Sequence, residues 1–411
     1  MAARFKAPRG TFDVLPAEST ARTALYRAAA RAFELAGYGK IETPAFEETD
    51  LFVRGVGEST DIVQKEMFTF EDQGGRSLTL RPEATAAICR AYVEHGMHTL
   101  PQPVKLWAWG PFFRHERPQA GRFRQFNQFD AEVIGTDDPI ADAEVIMLLD
   151  SILREAEVPG VELRLGSLGT PATRAAYREE LIAYLRANES ELSEEVRARI
   201  DQNPLRAFDA DHESTRAVMA EAPRMLDRLS DEDSEHFETV KRLLDEAGVV
   251  YVLDPSLVRG LDYYTRTVFE FTSDQLGAQS ALGGGGRYDG LVAELGGPET
   301  PAIGWAAGVE RILLALGEHE PGPVLDVFVA AAEGERERAL TAVQTLRGAG
   351  IRADLDLAGR SIKGQMKQAD RTGAGATLIL EGGAAKLRDM DTGEEREDEL
   401  DALLSELRGG S

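Results

Sequence analysis

Phe113-Arg-His-Glu116, the loop Arg117-Pro-Gln-Ala-Gly-Arg122 and Phe123-Arg-Gln-Phe126 together make the stretch that decides the fold. It reads as strand, turn, strand. Arg114 leaves the first strand toward a ligand, and Glu116, two residues on, lies on the same face of an extended strand. Arginine suits phosphate because its planar fork donates paired hydrogen bonds and stays charged. A basic hairpin by itself is also an ordinary solvated surface feature. The surrounding residues decide between the two.

Working outward, Val104–Trp109 and Arg124–Asp130 read as strands, and so does Leu78-Thr-Leu-Arg-Pro82, which ends at Glu83 and Thr85. Upstream, Pro16 and Ser19 precede a helical pattern with Leu25, Ala29, Phe33 and Ala36 on one face, and Gly37 can close it in the left-handed conformation. Downstream, a polar and strongly charged helical stretch from about 170 to 230 interrupts the strands and reads as an inserted subdomain. A helix from Ser234 to Ala247, with Phe237, Val240, Leu243 and Leu244 inward, leads to strands at Val249–Leu253 and Thr267–Phe271. Runs of strands with few βαβ alternations predict an α+β domain: an antiparallel sheet carrying helices.

Pro321-Gly-Pro323 marks a linker. Beyond it, strands at Leu325–Ala331, Ile351–Leu357 and Ala376–Leu380 alternate with helices at Glu333–Leu346 and Ser361–Asp370. This predicts a small α/β domain with a largely parallel sheet. The expected division is 1–320, with the helical insertion at about 170–230, and 324–411.

The 411 residues carry a formal net charge of −25. That total argues against a nucleic-acid partner only if charge is uniform, and binding follows the local field. The stretch 114–124 holds four arginines against one glutamate, while much of the acid lies between Glu179 and Glu246. Cys89 is the only cysteine, which excludes an intrachain disulfide and argues against a cysteine zinc site. No run reaches the ~18 apolar residues of a membrane span, and no signal core opens the chain. A cytoplasmic protein with no membrane association is expected. His95 and His98 lack an apparent third ligand, so no protein-held metal is expected.

Two further segments carry chemistry. Arg259-Gly-Leu-Asp-Tyr-Tyr264 and Leu282-Gly-Gly-Gly-Gly-Arg-Tyr-Asp-Gly-Leu291 suggest a pocket for a small polar ligand beside a phosphate. The glycine run does not match a phosphate-binding P-loop, because no Gly-Lys-Ser/Thr follows. Gly304 and Gly308, in Ala302-Ile-Gly-Trp-Ala-Ala-Gly-Val-Glu-Arg311, would let a flat ring approach the backbone. Gln128 and Glu132, four apart, fall on one face of a strand.

These segments resemble known motifs. The Phe-Arg-x-Glu hairpin is similar to motif 2 of class II aminoacyl-tRNA synthetases, and Ala302–Arg311 resembles motif 3. Gly37-Tyr-Gly-Lys-Ile-Glu-Thr-Pro44 resembles motif 1, whose helix, strand and proline build a dimer interface. The pair at 259–264 and 282–291 resembles the histidine-specific motifs of the histidyl-tRNA synthetase family. The likeness runs from Arg9-Gly-Thr-Phe-Asp-Val-Leu-Pro16 to the last helix.

The resemblance implies a class II catalytic domain and a C-terminal anticodon-binding domain. It implies ATP and Mg²⁺, L-histidine and tRNA(His) as partners, and a homodimer. The reaction would form histidyl-adenylate and pass the histidyl group to the tRNA 3′ end. Arg114 and Arg259 would be catalytic, flanking the α-phosphate. Arg114, Glu116, Phe126 and Arg311 would hold ATP. Glu83, Ala84, Thr85, Gln128, Glu132, Arg259, Tyr263, Tyr264 and Tyr288 would bind histidine, with Glu83, Thr85 and Gln128 at its amino end and Glu132 and Tyr264 at its ring. Arg117, Gln119 and Arg122 would meet the acceptor stem, and Arg360, Lys363 and Lys367 the anticodon arm. A regulatory relative that senses histidine without charging tRNA is the competing class. It lacks the final domain and commonly loses the catalytic arginines, whereas Arg114, Arg259 and Arg311 all stand here.

Overall fold

The computed structural model describes residues 5–57, 60–257, 260–277, 280–317 and 325–409. Arg259, the Pro321-Gly-Pro323 linker and Val324 lie outside the described residues. Two compact units divide the chain, 1–318 and 319–411.

In the first unit the strands are β1 Gly39–Lys40, β2 Phe46–Glu48, β3 Phe68–Glu71, β4 Ser77–Leu80, β5 Val104–Phe113, β6 Gln125–Ile134, β7 Val161–Ser167, β8 Val252–Leu253, β9 Thr265–Ser273, β10 Ala281–Arg287 and β11 Ala302–Gly308. Eight of them form one sheet in the order β1-β5-β6-β11-β10-β9-β7-β8. Its six inner strands are antiparallel neighbours, and only the end pairs β1/β5 and β7/β8 run parallel. A small sheet, β2-β4-β3, stands apart.

Alternation along β6 explains how the large sheet carries helices on one side and a site on the other. Phe129, Ala131 and Val133 enter the main apolar core, and Gln128, Asp130 and Glu132 take the opposite face. The Pro16–Leu35 and Pro139–Glu155 helices cover the core face. Leu25, Ala29 and Phe33 are buried there, and the Phe33 ring stacks at 4.8 Å on Trp107 and 5.8 Å on Trp305. Trp305 Nε1 donates to Val145 O at 2.8 Å, which removes the penalty of burying an indole N–H. Gly37 ends the first helix at φ +76°, the left-handed conformation its position requires.

The charged stretch after Thr170 folds as short helices around an apolar cluster of its own, including Tyr177, Leu181, Leu185, Val218 and Met225. Thr170 caps the Pro171–Ala187 helix, and Asp233 accepts from Thr173 Oγ1 at 2.6 Å, tying the insertion to the Asp231–Glu246 helix. The expected strand at Val249–Leu253 shrinks to two residues at the sheet edge, where Val250 is exposed. With a neighbour on one side only, apolar residues there do not complete a longer strand.

The second unit holds β12 Val327–Ala331, β13 Ala353–Leu355, β14 Ala376–Glu381, β15 Ala384–Asp389 and β16 Glu395–Asp398, in the order β13-β12-β14-β15-β16. The first three are parallel, as the alternating pattern predicts. The last two are antiparallel additions that the sequence reading lacked. Gly382 and Gly383, both at positive φ, make the turn between β14 and β15. β16 is Glu-Arg-Glu-Asp, exposed at every position, so it carries no apolar alternation to announce it.

Candidate active site

A cavity of about 340 Å³ opens on the face of the large sheet away from the covering helices. Strand register sets its floor. Glu132 lies opposite Leu106 and Gly304, Asp130 opposite Ala108 and Ala306, and Gln128 opposite Gly110 and Gly308. Small residues on β11 therefore sit beside acidic or amide ones on β6.

Gly304 is required by Glu132. A Cβ there would lie 2.5 Å from Ala131 O and 2.7 Å from Glu132 Cδ. The glycine run on β10 serves both the cavity and the sheet. Gly283 and Gly284 line the cavity. Gly283, Gly285 and Gly286 also admit neighbouring strands, since their Cβ atoms would come 2.8 Å from Ala307 Cα, 2.6 Å from Trp305 Cα and 2.5 Å from Thr267 O.

Glu132 is fully buried. Its Oε1 accepts from Thr85 Oγ1 at 2.7 Å and its Oε2 accepts from Tyr288 OH. Burial drives its carboxyl well above the ordinary carboxylate range, and those two hydroxyls pull it back in part. The resemblance sets Glu132 and Tyr264 at the imidazole, and in the structure the phenol hydroxyl that donates to Glu132 is Tyr288's. Tyr263 links the rings, with centroids 4.7 Å from Tyr264 and 5.7 Å from Tyr288. Glu83 sits where the chain leaves β4 for the Thr85–Glu94 helix. Its carboxylate accepts from Thr85 N at 2.8 Å and Ala86 N at 2.9 Å, in the first helical turn, where an anion is favoured. Burial raises its carboxyl, against those two backbone donors. Ala84 is buried beside it.

β5 ends at Phe113, so Arg114 and Glu116 belong to the loop and not to one face of a continuing strand. Arg114 Nε donates to Pro82 O at 2.9 Å, and its guanidinium lies 5.3 Å from the centre of the Phe126 ring. Glu116 pairs with Arg122 at 3.2 Å, folding that arginine back on its own hairpin. Arg117 and Gln119 are exposed at the tip. Gly10 O accepts from Arg124 N at 2.7 Å and the Phe12 ring lies 4.5 Å from Phe123, so the N-terminal segment braces the hairpin.

Arg311, in the first turn of the Val309–Leu316 helix, lines the cavity. Burial and the nearby Arg122 lower its pKa, and Glu270 and Glu116 oppose them. The residue beside it, Glu310, was not singled out. It pairs with Arg22 at 2.7 Å and accepts from Asn127 N at 2.8 Å, which fixes this helix to β6 and to the Pro16–Leu35 helix. Arg287, in the Arg-Tyr-Asp segment, does not line the cavity. It is fully buried, 2.6 Å from Asp142 Oδ1, and donates to Thr136 O and Asp138 O. Asp142 also meets His236 Nε2 at 2.8 Å. A pairing across 145 positions has no local sequence signal.

In the second unit, Arg360 pairs with Asp356 at 2.5 Å. Lys363, Lys367 and Arg371 are exposed along the Ile362–Arg371 helix. Gln365 holds the other face of that helix to β12 through both Ala331 N and Ala331 O, each at 2.8 Å. Among the described residues no group of three acidic, histidine or cysteine side chains could hold a metal ion, and no helix is long and apolar enough to cross a membrane.

Comparison with known proteins follows the same division. The sequence model of the histidyl-tRNA synthetase family matches residues 10–312, and that of the anticodon binding domain matches 326–409. The histidine–tRNA ligase of Rubrobacter xylanophilus is 49% identical over 407 residues, covering 95% of this chain and 96% of that one. The apo S. aureus histidyl-tRNA synthetase structure superposes with a TM-score of 0.82 at 38% identity, covering 98% of this chain and all of that one. A Bacillus halodurans structure described as an ATP phosphoribosyltransferase regulatory subunit/histidyl-tRNA synthetase shares the fold, with a TM-score of 0.67 at 23% identity over 92% of this chain and 98% of that one.

Proposed function

The chain belongs to the histidyl-tRNA synthetase family, and on that premise we propose how its cavity divides the work. Its reaction is the ATP-dependent charging of tRNA with histidine. In the first step a carboxylate oxygen of histidine attacks the α-phosphorus, and pyrophosphate leaves with the electron pair of the broken bond. No covalent enzyme intermediate is needed, so positioning and charge stabilisation carry the rate.

The single observation that carries the assignment is Glu132: buried, oriented by Thr85 and Tyr288, and on the same strand face as Gln128. A carboxylate held by two hydroxyls can read an imidazole N–H, and ligands lacking that group leave it unsatisfied. Glu83 and Gln128 take the ammonium, with Ala84, Thr85, Tyr263, Tyr264 and Tyr288 closing around the amino acid. Arg114 and Arg259 stabilise charge that develops on the α-phosphate. Phe126 stacks on the adenine side, Glu116 orients the nucleotide, and Arg311 meets the far phosphate.

Mg²⁺ enters with the triphosphate. Since the described residues offer no three-ligand cluster, phosphate and water would supply most of its shell, with Glu116 and Glu270 the nearby cavity carboxylates. Bound there, the ion would neutralise phosphate charge.

The tRNA acceptor end meets Arg117, Gln119 and Arg122, and the anticodon arm meets Arg360, Lys363 and Lys367. We place the catalytic part at 1–320, with the insertion at about 170–230, and the anticodon-binding part at 324–411. Two copies pair through the 37–44 segment, and the exposed Leu35 and Phe46 support this reading. A cytoplasmic location is supported by the single, buried cysteine.

Histidine-dependent ATP–pyrophosphate exchange tests the assignment. The parent chain should exchange, and Arg114→Ala and Arg259→Ala should each lose on the order of 10²–10³ in rate. Histidine binding without exchange would instead indicate a sensor. Undiminished exchange in either variant would remove that arginine from the clamp.

A further inference from the structure

One carboxyl group in this region has no part in the scheme above. Asp130 sits between Gln128 and Glu132 on the same face of β6 and is fully buried. Neither of its oxygens has a hydrogen-bond partner among the described residues, and Gln128 Oε1 is likewise buried and unpartnered. Across the ladder it faces only Ala108 and Ala306, the latter on the cavity wall.

The charged groups that act on it are Arg81, Arg114 and Glu83, and it acts in turn on Glu132. Neither arginine donates a hydrogen bond to Asp130. Arg81 donates to Pro111 O and Thr43 O, both at 2.9 Å, and its guanidinium lies 4.6 Å from the Phe112 ring centre. Arg114 donates to Pro82 O. Glu83 already has two backbone donors and Glu132 two hydroxyls.

Three buried carboxyl groups thus lie close together, and one of them has no hydrogen-bond donor among the described residues. An ionised, unpaired carboxylate beside two others is the costliest state available, and neutralisation relieves it. Burial first, and Glu83 second, push the Asp130 carboxyl well above its ordinary range, with Arg81 and Arg114 opposing. An ammonium group reverses this balance, because it brings three donors and a positive charge to a face with spare acceptors on Gln128 and Asp130.

We propose that Asp130 is a neutral acid in the empty site and releases its proton to solvent when the substrate's ammonium group seats beside Glu83 and Gln128. This rests on reading those two residues as the amino-end site. Asp130 is then a positioning residue: it supplies a counter-charge from beneath the floor, and only when a cation arrives. The site favours amino acids over deaminated analogues, and amino-acid affinity is tied to pH. The sign follows from linkage. A group deprotonated by ligand makes binding stronger as pH rises, between its bound and free titration ranges.

The test is calorimetric titration of histidine into the full chain near neutral pH, in buffers of different ionisation enthalpy, for the parent and Asp130→Asn. The parent should release about one proton per site more than the variant. Its affinity should gain up to about tenfold per pH unit over the variant's slope within the titration window. Comparing the two chains cancels protons lost by histidine itself. Equal proton counts overturn the proposal, and so does a parent that binds histidine with no proton released. Asp130→Ser serves if the asparagine variant does not fold. If the parent binds no histidine at all, the amino-end reading itself fails, which the exchange assay reveals separately.

Discussion

Replacing Gly304 with alanine should cripple histidine recognition through a single methyl group. The new Cβ would stand 2.7 Å from Glu132 Cδ and 2.5 Å from Ala131 O. Ordinary carbon contact needs about 3.5–4.0 Å, so the carboxylate must retreat by about 1 Å. The backbone clash with Ala131 also cannot be relieved by a side-chain rotation alone. A shift of that size breaks the 2.7 Å bond from Thr85 and the bond from Tyr288. Each hydrogen bond to a charged group is worth about 1.5–3 kcal/mol, and overpacking adds about 1–3 kcal/mol. If about 3 kcal/mol of that falls on bound histidine, kcat/KM for histidine drops on the order of 10²-fold. Exchange kinetics at varied histidine, read beside thermal unfolding, measure this. Gly308→Ala is the control, because its Cβ would meet Arg311 at an ordinary 3.5 Å and should leave stability unchanged. Exchange by Gly304→Ala within about threefold of the parent would refute the claim that glycine is there for Glu132.

Phe33→Ala removes the ring between Trp107 and Trp305 and should cost about 3–5 kcal/mol, seen as a lower denaturation midpoint for the catalytic unit; a change under about 1 kcal/mol would contradict the packing argument. In the second unit, the hydrogen bonds from Arg352 hold the Asp326 carboxyl below its ordinary range. That stability is present above the unfolded carboxylate pKa, near 4, and is lost as pH falls through the lower folded value. Asp326→Asn should therefore flatten the acid limb of that unit's calorimetric melting by less than about 1 kcal/mol, given how exposed the pair is; an unchanged limb would show the pair contributes nothing. Lys363→Glu with Lys367→Glu should raise KM for tRNA and weaken its salt dependence, while pyrophosphate exchange stays at the parental rate.

The central hairpin, the covering helix and the parallel core of the second unit were legible because their signals are local. Periodicity marks the Leu25–Ala29–Phe33 face, and alternation marks Gln128 and Glu132. The same alternation places Asp130 on that face, but its lack of a hydrogen-bond partner appears only in the fold. Arg287 and Asp142 meet only through the fold, so no local signal announces the ion pair that buries the arginine. The glycine run is ambiguous in the sequence because glycine marks close approach without saying of what. At Gly285 and Gly286 the approaching groups are Trp305 and the Thr267 carbonyl. β16 hid behind four charged residues on an edge.

The stack of Phe33 on Trp107 and Trp305 also fixes what light can report. The chain has three tryptophans, Trp107, Trp109 and Trp305, on the two strands that flank β6, and its nine tyrosines all precede Tyr288 or are that residue. Every indole and phenol chromophore therefore belongs to the first unit. Intrinsic fluorescence is a built-in probe of the sheet beneath the site, while the tRNA-reading unit is optically dark. A label added there would be seen without interference from its own background, and energy transfer from the tryptophans would follow its distance from the catalytic sheet.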